Sequence, residues 1–192
     1  NVVSCSLWAG ASCEFMPNFS EKGIFDLIEQ AKINVFMAVP TIYFKLIAYW
    51  ESLESHRQTQ LSDALQKLRF MISGSAALPV SVMERWQAIS GHLLLERYGM
   101  TEIGMALSNP YDGPRVAGHV GYPLPGVSVR LSEEGEIQVK GPTVFKEYWN
   151  KPESTAESFT EDGWFKTGDI AALDELGGYR ILGRNSVDII KS

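Results

Sequence analysis

The chain has 192 residues, 45% of them hydrophobic and 11% aromatic, and carries a formal net charge of −6. That length is one large domain or one and a half small ones, with enough apolar side chains for a sizeable core. Lys and Arg number 17 against 23 Asp and Glu; this speaks against a dedicated nucleic-acid binder with its basic face, and no apolar run approaches the ~18 residues of a membrane-spanning helix.

In chain order, Val2 to Trp8 reads as a buried strand and Cys13 to Met16 as a second short apolar run. Cys5 and Cys13 are the only cysteines, too few for a disulfide scaffold. Their apolar surroundings predict two reduced, buried small hydrophobes. Ser20 is a natural N-cap for a helix over residues 21–31, where Ile24, Phe25, Leu27, Ile28 and Ala31 fall on one face. Val35 to Val39, ended by Pro40, predicts a buried strand, and Thr41 a cap for a second amphipathic helix through Leu53. The polar stretch Glu54 to Gln60 reads as a surface connection. Arg69 to Ser73 is a strand running into Gly74-Ser75-Ala76-Ala77, and Pro79 opens a helix that ends at Gly91. Leu93 to Glu96 is a further strand, running into Tyr98-Gly99-Met100-Thr101-Glu102. Alternating strands and helices predict an α/β class with a mostly parallel sheet covered on both faces.

After Asn109 the composition changes to closely spaced prolines and turn glycines. Val127 to Leu131 and Glu136 to Lys140 predict a hairpin around Glu133-Glu134-Gly135. Trp164 to Lys166, Ile170 to Leu173 and Tyr179 to Leu182 complete a smaller β-rich subdomain. The predicted division is an α/β part over 1–112, a β-rich part over 113–182, and a terminal segment over 183–192. The chain opens Asn-Val-Val without Met and stops just after Ile189-Ile190. It therefore reads as a piece of a longer protein, with no signal or transit peptide in view.

Several chemistries are excluded by motif. His56, His92 and His119 are far apart, without metal-ligand spacing to cysteine or to each other. There is no nucleophile elbow, no Walker-type phosphate loop and no dinucleotide fingerprint. Loops at strand ends remain, which is where ligands bind in parallel α/β sheets. Gly74-Ser75-Ala76 would let a flat ring approach the backbone. Tyr98 to Glu102 offers an aromatic face, a close-approach glycine, a hydroxyl for phosphate and a carboxylate for Mg²⁺, which typically takes only one or two protein carboxylates. Asp169 in Thr167-Gly168-Asp169 could accept both hydroxyls of a ribose, and Arg184 adds a cation. Each element alone is weak; Glu102 by itself, for instance, is more often a helix N-terminal carboxylate interacting with the dipole. Their order is more specific.

The ordered blocks 73–79, 98–104, 135–141, 162–169 and 183–191 resemble the adenylate-forming superfamily, which includes acyl-CoA synthetases, firefly luciferase and the adenylation domains of nonribosomal peptide synthetases. Residues 33–43, 95–102 and 144–152 look most like malonyl-CoA synthetases. The resemblance spans essentially the whole chain and implies a fold that is part of the large N-terminal domain of such an enzyme. It also implies roles. Gly74, Ser75 and Ala76 would line an adenine stacked on Tyr98, beside Gly99, with Ile181 packing near the nucleoside. Asp169 would bind the ribose hydroxyls, assisted by Arg184. Thr101 would touch phosphate and Glu102 would hold Mg²⁺, while Lys191 would face the site in one domain orientation, after a hinge pivoting at Ser186. Thr101, Glu102 and Lys191 are thus the candidate catalytic residues.

The implied reaction is ATP-dependent adenylation of a carboxylate followed by thioester formation with coenzyme A. Arg97, next to the Tyr98-Gly99 turn, and Met105 would lie at the acyl pocket. A guanidinium there favours malonate or methylmalonate, whose second carboxylate it can bind bidentately. Two readings compete: a medium- or long-chain fatty acyl-CoA synthetase, and a homologue that holds nucleotide without catalysis. The family's phosphate loop would precede Asn1 and its small C-terminal domain would follow Ser192, so the piece alone is expected to be inactive. The expected compartment is cytoplasmic, or mitochondrial in a eukaryote. Oligomeric state is not legible.

Overall fold

The computed structural model describes residues 2–184, and the chain divides into two units, Asn1–Leu94 and Leu95–Ser192. The composition break read at 112/113 falls inside the second unit. Ser186 and Lys191 lie outside the described residues.

The first unit contains α1 (Val2–Trp8), α2 (Glu21–Glu29), β1 (Val35–Ala38), α3 (Pro40–Glu51), α4 (Ser55–Leu65), β2 (Phe70–Ser73) and α5 (Val80–Ser90). β1 and β2 pair in parallel, Val35 opposite Phe70 and Ala38 opposite Ser73, as the strand–helix alternation predicts. The helix termini match the sequence where their chemistry is local. The Ser20 hydroxyl accepts from the Gly23 amide at 3.0 Å, capping α2. Gly91 closes α5 at φ 73°, in the left-handed region that glycine enters without penalty.

The core of this unit is built on aromatics. Tyr43 and Trp86 are fully buried and meet edge-to-face at 5.3 Å, each contributing roughly 1.5–3 kcal/mol of burial. Both polar tips are satisfied: Tyr43 Oη donates to the Ile72 carbonyl at 2.7 Å and Trp86 Nε1 points at the Met71 sulfur at 3.3 Å. Burial pushes the Tyr43 phenol well above its ordinary range.

Four sequence expectations are corrected by this unit. Val2–Trp8 is a helix with no buried side chain, not a buried strand; a short apolar run carries no period that separates the two. Cys5 is exposed and Cys13 half-buried, so neither is the buried small hydrophobe expected. Pro40 rather than Thr41 begins α3, occupying the first turn where its missing N–H costs nothing. The supposed connection Glu54 to Gln60 is mostly the polar first half of α4. Its buried apolar residues, Leu61, Ala64 and Leu65, come later in its length, while the polar half is held by a reciprocal pair in which Trp50 Nε1 donates to the Gln58 carbonyl and Gln58 Nε2 to the Trp50 carbonyl, both at 3.1 Å.

The second unit contains β3 (Leu95–Met100), β4 (Gly104–Ser108), β5 (Tyr122–Pro123), β6 (Ser128–Leu131), β7 (Glu136–Lys140), α6 (Pro152–Glu157), β8 (Phe165–Leu173) and β9 (Tyr179–Arg184). β3, β4 and β5 pair antiparallel, so the architecture is mixed α/β. β6 to β9 form a four-stranded antiparallel sheet in sequence order. The predicted hairpin is β6–β7, with Ser128 opposite Lys140. Ile103, Ala106, Leu107, Val120, Ile137, Val139, Phe165, Ala171 and Tyr179 form its core.

Two further expectations change. Tyr98, Gly99 and Met100 lie in β3 rather than in a loop after it. The two short strands expected around Thr167-Gly168-Asp169 are one nine-residue strand, β8. No described helix is long and apolar enough to cross a membrane.

Candidate functional site

The β3–β4 hairpin sets the first half of the site. Gly99 faces Met105 across the pair. A Cβ there would sit 2.1 Å from the Gly104 carbonyl oxygen and 2.9 Å from Met105 Cα, both backbone atoms that cannot step aside. The glycine is therefore required by the approach of β4, and a bulge between Tyr98 and Gly99 accompanies it. Tight pairing leaves Thr101 exposed and Glu102 half-buried in the connecting turn.

The second half is a kink in β8. Gly168 has φ 76°, the left-handed region, and the chain around it projects Asp169 toward β3. Tyr98 Oη donates to Asp169 Oδ2 at 2.6 Å. Arg184, the register partner of Asp169 on β9, places Nε 3.3 Å from Asp169 Oδ1. Burial, then the hydrogen bond to Asp169, raises the Tyr98 phenol far above its ordinary value, so it is a firm donor at neutral pH. Ile181 packs against the same core as Tyr98. The structure thus brings Tyr98, Asp169 and Arg184 together, whereas Ile181 shares only the core cluster with Tyr98.

Asp169 is held between a phenol and a guanidinium, yet an ionised carboxylate has about four lone-pair positions. Each oxygen keeps capacity for one more donor. A vicinal diol supplies two donors at a spacing that matches the two oxygens.

Glu102 is fixed separately. Tyr148 Oη donates to its Oε1 at 3.0 Å, and the Phe145 amide donates to its carbonyl at 2.7 Å. Burial and the Glu102 bond raise the Tyr148 phenol, which remains a donor. Among the described residues no group of three His, Cys, Asp or Glu side chains could hold a metal. A lone carboxylate does not suit a resident ion. It does suit a Mg²⁺ that arrives on nucleotide phosphates and keeps its own waters.

Arg97 and Met105, both expected at an acyl pocket, meet: Arg97 Nη1 lies 3.2 Å from the Met105 sulfur. Glu96 is buried and Arg97 half-buried, in keeping with neighbours that point to opposite faces of β3. Gly74, Ser75 and Ala76 belong to the first unit, directly after β2. Gly74 is buried, Ser75 and Ala76 are exposed, and Ser75 adopts φ 70°. A non-glycine residue held in that region is strained, and such strain gathers at ligand clamps.

Two contributors have no clear signature in the sequence. Tyr148 stands in the 144–152 block without any chemical signal for its partner, 46 residues away. Glu136 accepts from the Gly168 amide at 2.8 Å, and the only hint is its place in the strand opposite.

Comparison with known proteins bears on this arrangement. The model of the AMP-binding enzyme family matches residues 1–149. The chain belongs to this family. Among AMP-binding relatives, it is 51% identical to the mitochondrial malonate–CoA ligase ACSF3 of Xenopus laevis, covering all of this chain and 39% of that protein. It is similar to the ATP-bound structure of MatB from Rhodopseudomonas palustris, with a TM-score of 0.85 and 44% identity over 95% of this chain and 37% of that one. It is similar as well to a malonyl-CoA ligase solved as a ternary product complex with methylmalonyl-CoA and AMP, with a TM-score of 0.83 and 42% identity over 95% and 40% of the respective chains. The chain therefore spans about two fifths of the relatives it matches. Within the AMP-binding match lie Arg97, Tyr98, Thr101 and Glu102, whereas Asp169 and Arg184 lie beyond residue 149.

Proposed function

We propose that the full-length protein carrying this chain is an ATP-dependent acid–CoA ligase whose acid is malonate or methylmalonate. A carboxylate oxygen attacks the α-phosphorus of MgATP and pyrophosphate leaves. The coenzyme A thiolate then attacks the acyl carbonyl and AMP leaves. Catalysis of this kind is mostly positioning and charge stabilisation. Asp169 takes the ribose hydroxyls with Arg184 beside it, Tyr98 offers its ring to the base, Thr101 meets phosphate and Glu102 meets the Mg²⁺ carried by ATP. Lys191 lies outside the described residues and keeps its candidate role.

The observation that carries this reading is Asp169 clamped between Tyr98 and Arg184 with acceptor capacity to spare, in a chain similar along its whole length to malonate–CoA ligases. Arg97 is proposed to hold the second carboxylate through two parallel hydrogen bonds. The mitochondrial designation of the Xenopus relative supports a mitochondrial site of action in a eukaryotic source.

The test is a substrate panel on the full-length protein. Malonate or methylmalonate should turn over faster than butyrate or octanoate. Arg97→Ala should lower kcat/KM for malonate about 30-fold or more, since truncating one partner of a buried charge pair costs ~2–5 kcal/mol, and leave octanoate unchanged. Faster turnover with octanoate than with malonate overturns the dicarboxylate assignment.

A further inference from the structure

We infer that Glu136 is a positioning residue for Asp169, replacing a missing strand partner and so setting the direction in which Asp169 meets a ribose. The inference rests on the nucleotide role proposed above for Asp169.

The register of β7 and β8 shows why a substitute is needed. Glu136 faces Ile170 and Gln138 faces Lys166. Ile137 alone therefore stands opposite Thr167, Gly168 and Asp169. Such a bulge breaks the ladder, and its backbone groups must find other partners or lose their hydrogen bonds.

The structure accounts for three of them. The Thr167 hydroxyl donates to the Ile137 carbonyl at 2.8 Å and accepts from the Asp169 amide at 3.1 Å. The Gly168 amide donates to Glu136 Oε1 at 2.8 Å. Regular pairing resumes where the Ala171 amide meets the Gly135 carbonyl at 2.9 Å. Every amide from Gly168 to Asp169 is thus tied to a side chain rather than to a strand.

That matters because of the residue in the middle. Gly168 sits at φ 76° with nothing within 4 Å of where a Cβ would be, so no steric wall holds its backbone in place. Glycine is also the residue with most conformational freedom to lose. The direction of the next side chain is then set by what grips the flanking amides. Thr167 grips one and Glu136 the other. Without Glu136, the Gly168 amide would turn to water and the Thr167–Gly168 peptide could rotate, carrying the direction of Asp169 with it.

The experiment measures nucleotide discrimination by the full-length protein. Wild type should favour ATP over 2′-deoxy-ATP in kcat/KM, and Asp169→Asn, which keeps only one acceptor oxygen, should sharply reduce that preference. Glu136→Ala should shrink the preference about tenfold, the scale of one charge-assisted hydrogen bond. Glu136→Gln, which keeps an oxygen acceptor, should retain most of it. KM values for the carboxylate and for coenzyme A should not move in either variant. If Glu136→Ala does not fold, Glu136→Asp provides the same reading, because the shorter side chain withdraws the acceptor while keeping the charge. A preference sharply reduced in Asp169→Asn but intact in the Glu136 variants overturns this inference alone. No preference in wild type overturns the Asp169 assignment, and this inference with it.

Discussion

Replacing Asp169 with Asn probes the candidate site with the least change of shape. In the ligand-free protein the substitution weakens two contacts. The Arg184 pair spans 3.3 Å and its guanidinium side is 54% exposed, so its loss costs only about 0–1 kcal/mol. The 2.6 Å bond from Tyr98 survives on the amide oxygen but loses its charge assistance, about 1 kcal/mol by the difference between charged and neutral hydrogen bonds. Stability should therefore fall by about 1–2 kcal/mol, leaving the fold intact. The nucleotide should suffer more. An amide offers one acceptor oxygen where two ribose hydroxyls need two, so one charge-assisted bond disappears and the other is weakened. Together these amount to about 2.5–4 kcal/mol, or about 70- to 900-fold in kcat/KM for ATP. Steady-state kinetics of the full-length protein with ATP varied, and then with malonate varied, separates the cases. A kcat/KM for ATP within about threefold of wild type, or a loss confined to malonate, would refute the placement of the ribose on Asp169.

Glu102→Gln keeps the oxygen that accepts from Tyr148 but removes the charge, so the protein should fold while adenylation falls about 10²-fold or more, as when a preorganised electrostatic group is lost. A Mg²⁺ titration of pyrophosphate exchange checks this, with an unchanged metal requirement as the contrary result. Asp162 gives a pH prediction: hydrogen bonds from Arg130, then Thr160, hold its carboxyl down at about 2 against an ordinary 3.8. Its contribution to stability is complete above the ordinary value and disappears as pH falls through the depressed one. Denaturant unfolding of wild type and Asp162→Asn should differ at neutral pH and converge towards about pH 2; a gap that persists there would contradict the pairing.

Features whose cause lies within a few residues are legible in the amino-acid sequence. The Ser20 cap, the Gly91 stop, the β6–β7 hairpin and the alternation behind the parallel β1–β2 pair are all of this kind. The identity and order of the candidate residues are legible too, because Tyr98, Glu102, Asp169 and Arg184 stand in blocks whose order resembles one family. Short apolar runs are not. Val2–Trp8 reads as a buried strand, yet it forms a helix with no buried side chain among the described residues.

Tertiary contacts establish how those residues are held. Asp169 reaches Tyr98 across 71 positions of sequence, and Gly168 reaches Glu136 across 32. Neither approach leaves a local trace, because a bulge exists only relative to the strand beside it. Gly99 illustrates the same point. Its type suggests room for a ligand, while the contact that demands it is the backbone of β4, 2.1 Å from a hypothetical Cβ. The order of residues specifies which chemical groups are present and how they follow one another. Strand pairing specifies which of them meet, since hydrogen-bond register is a property of two segments and is written in neither alone.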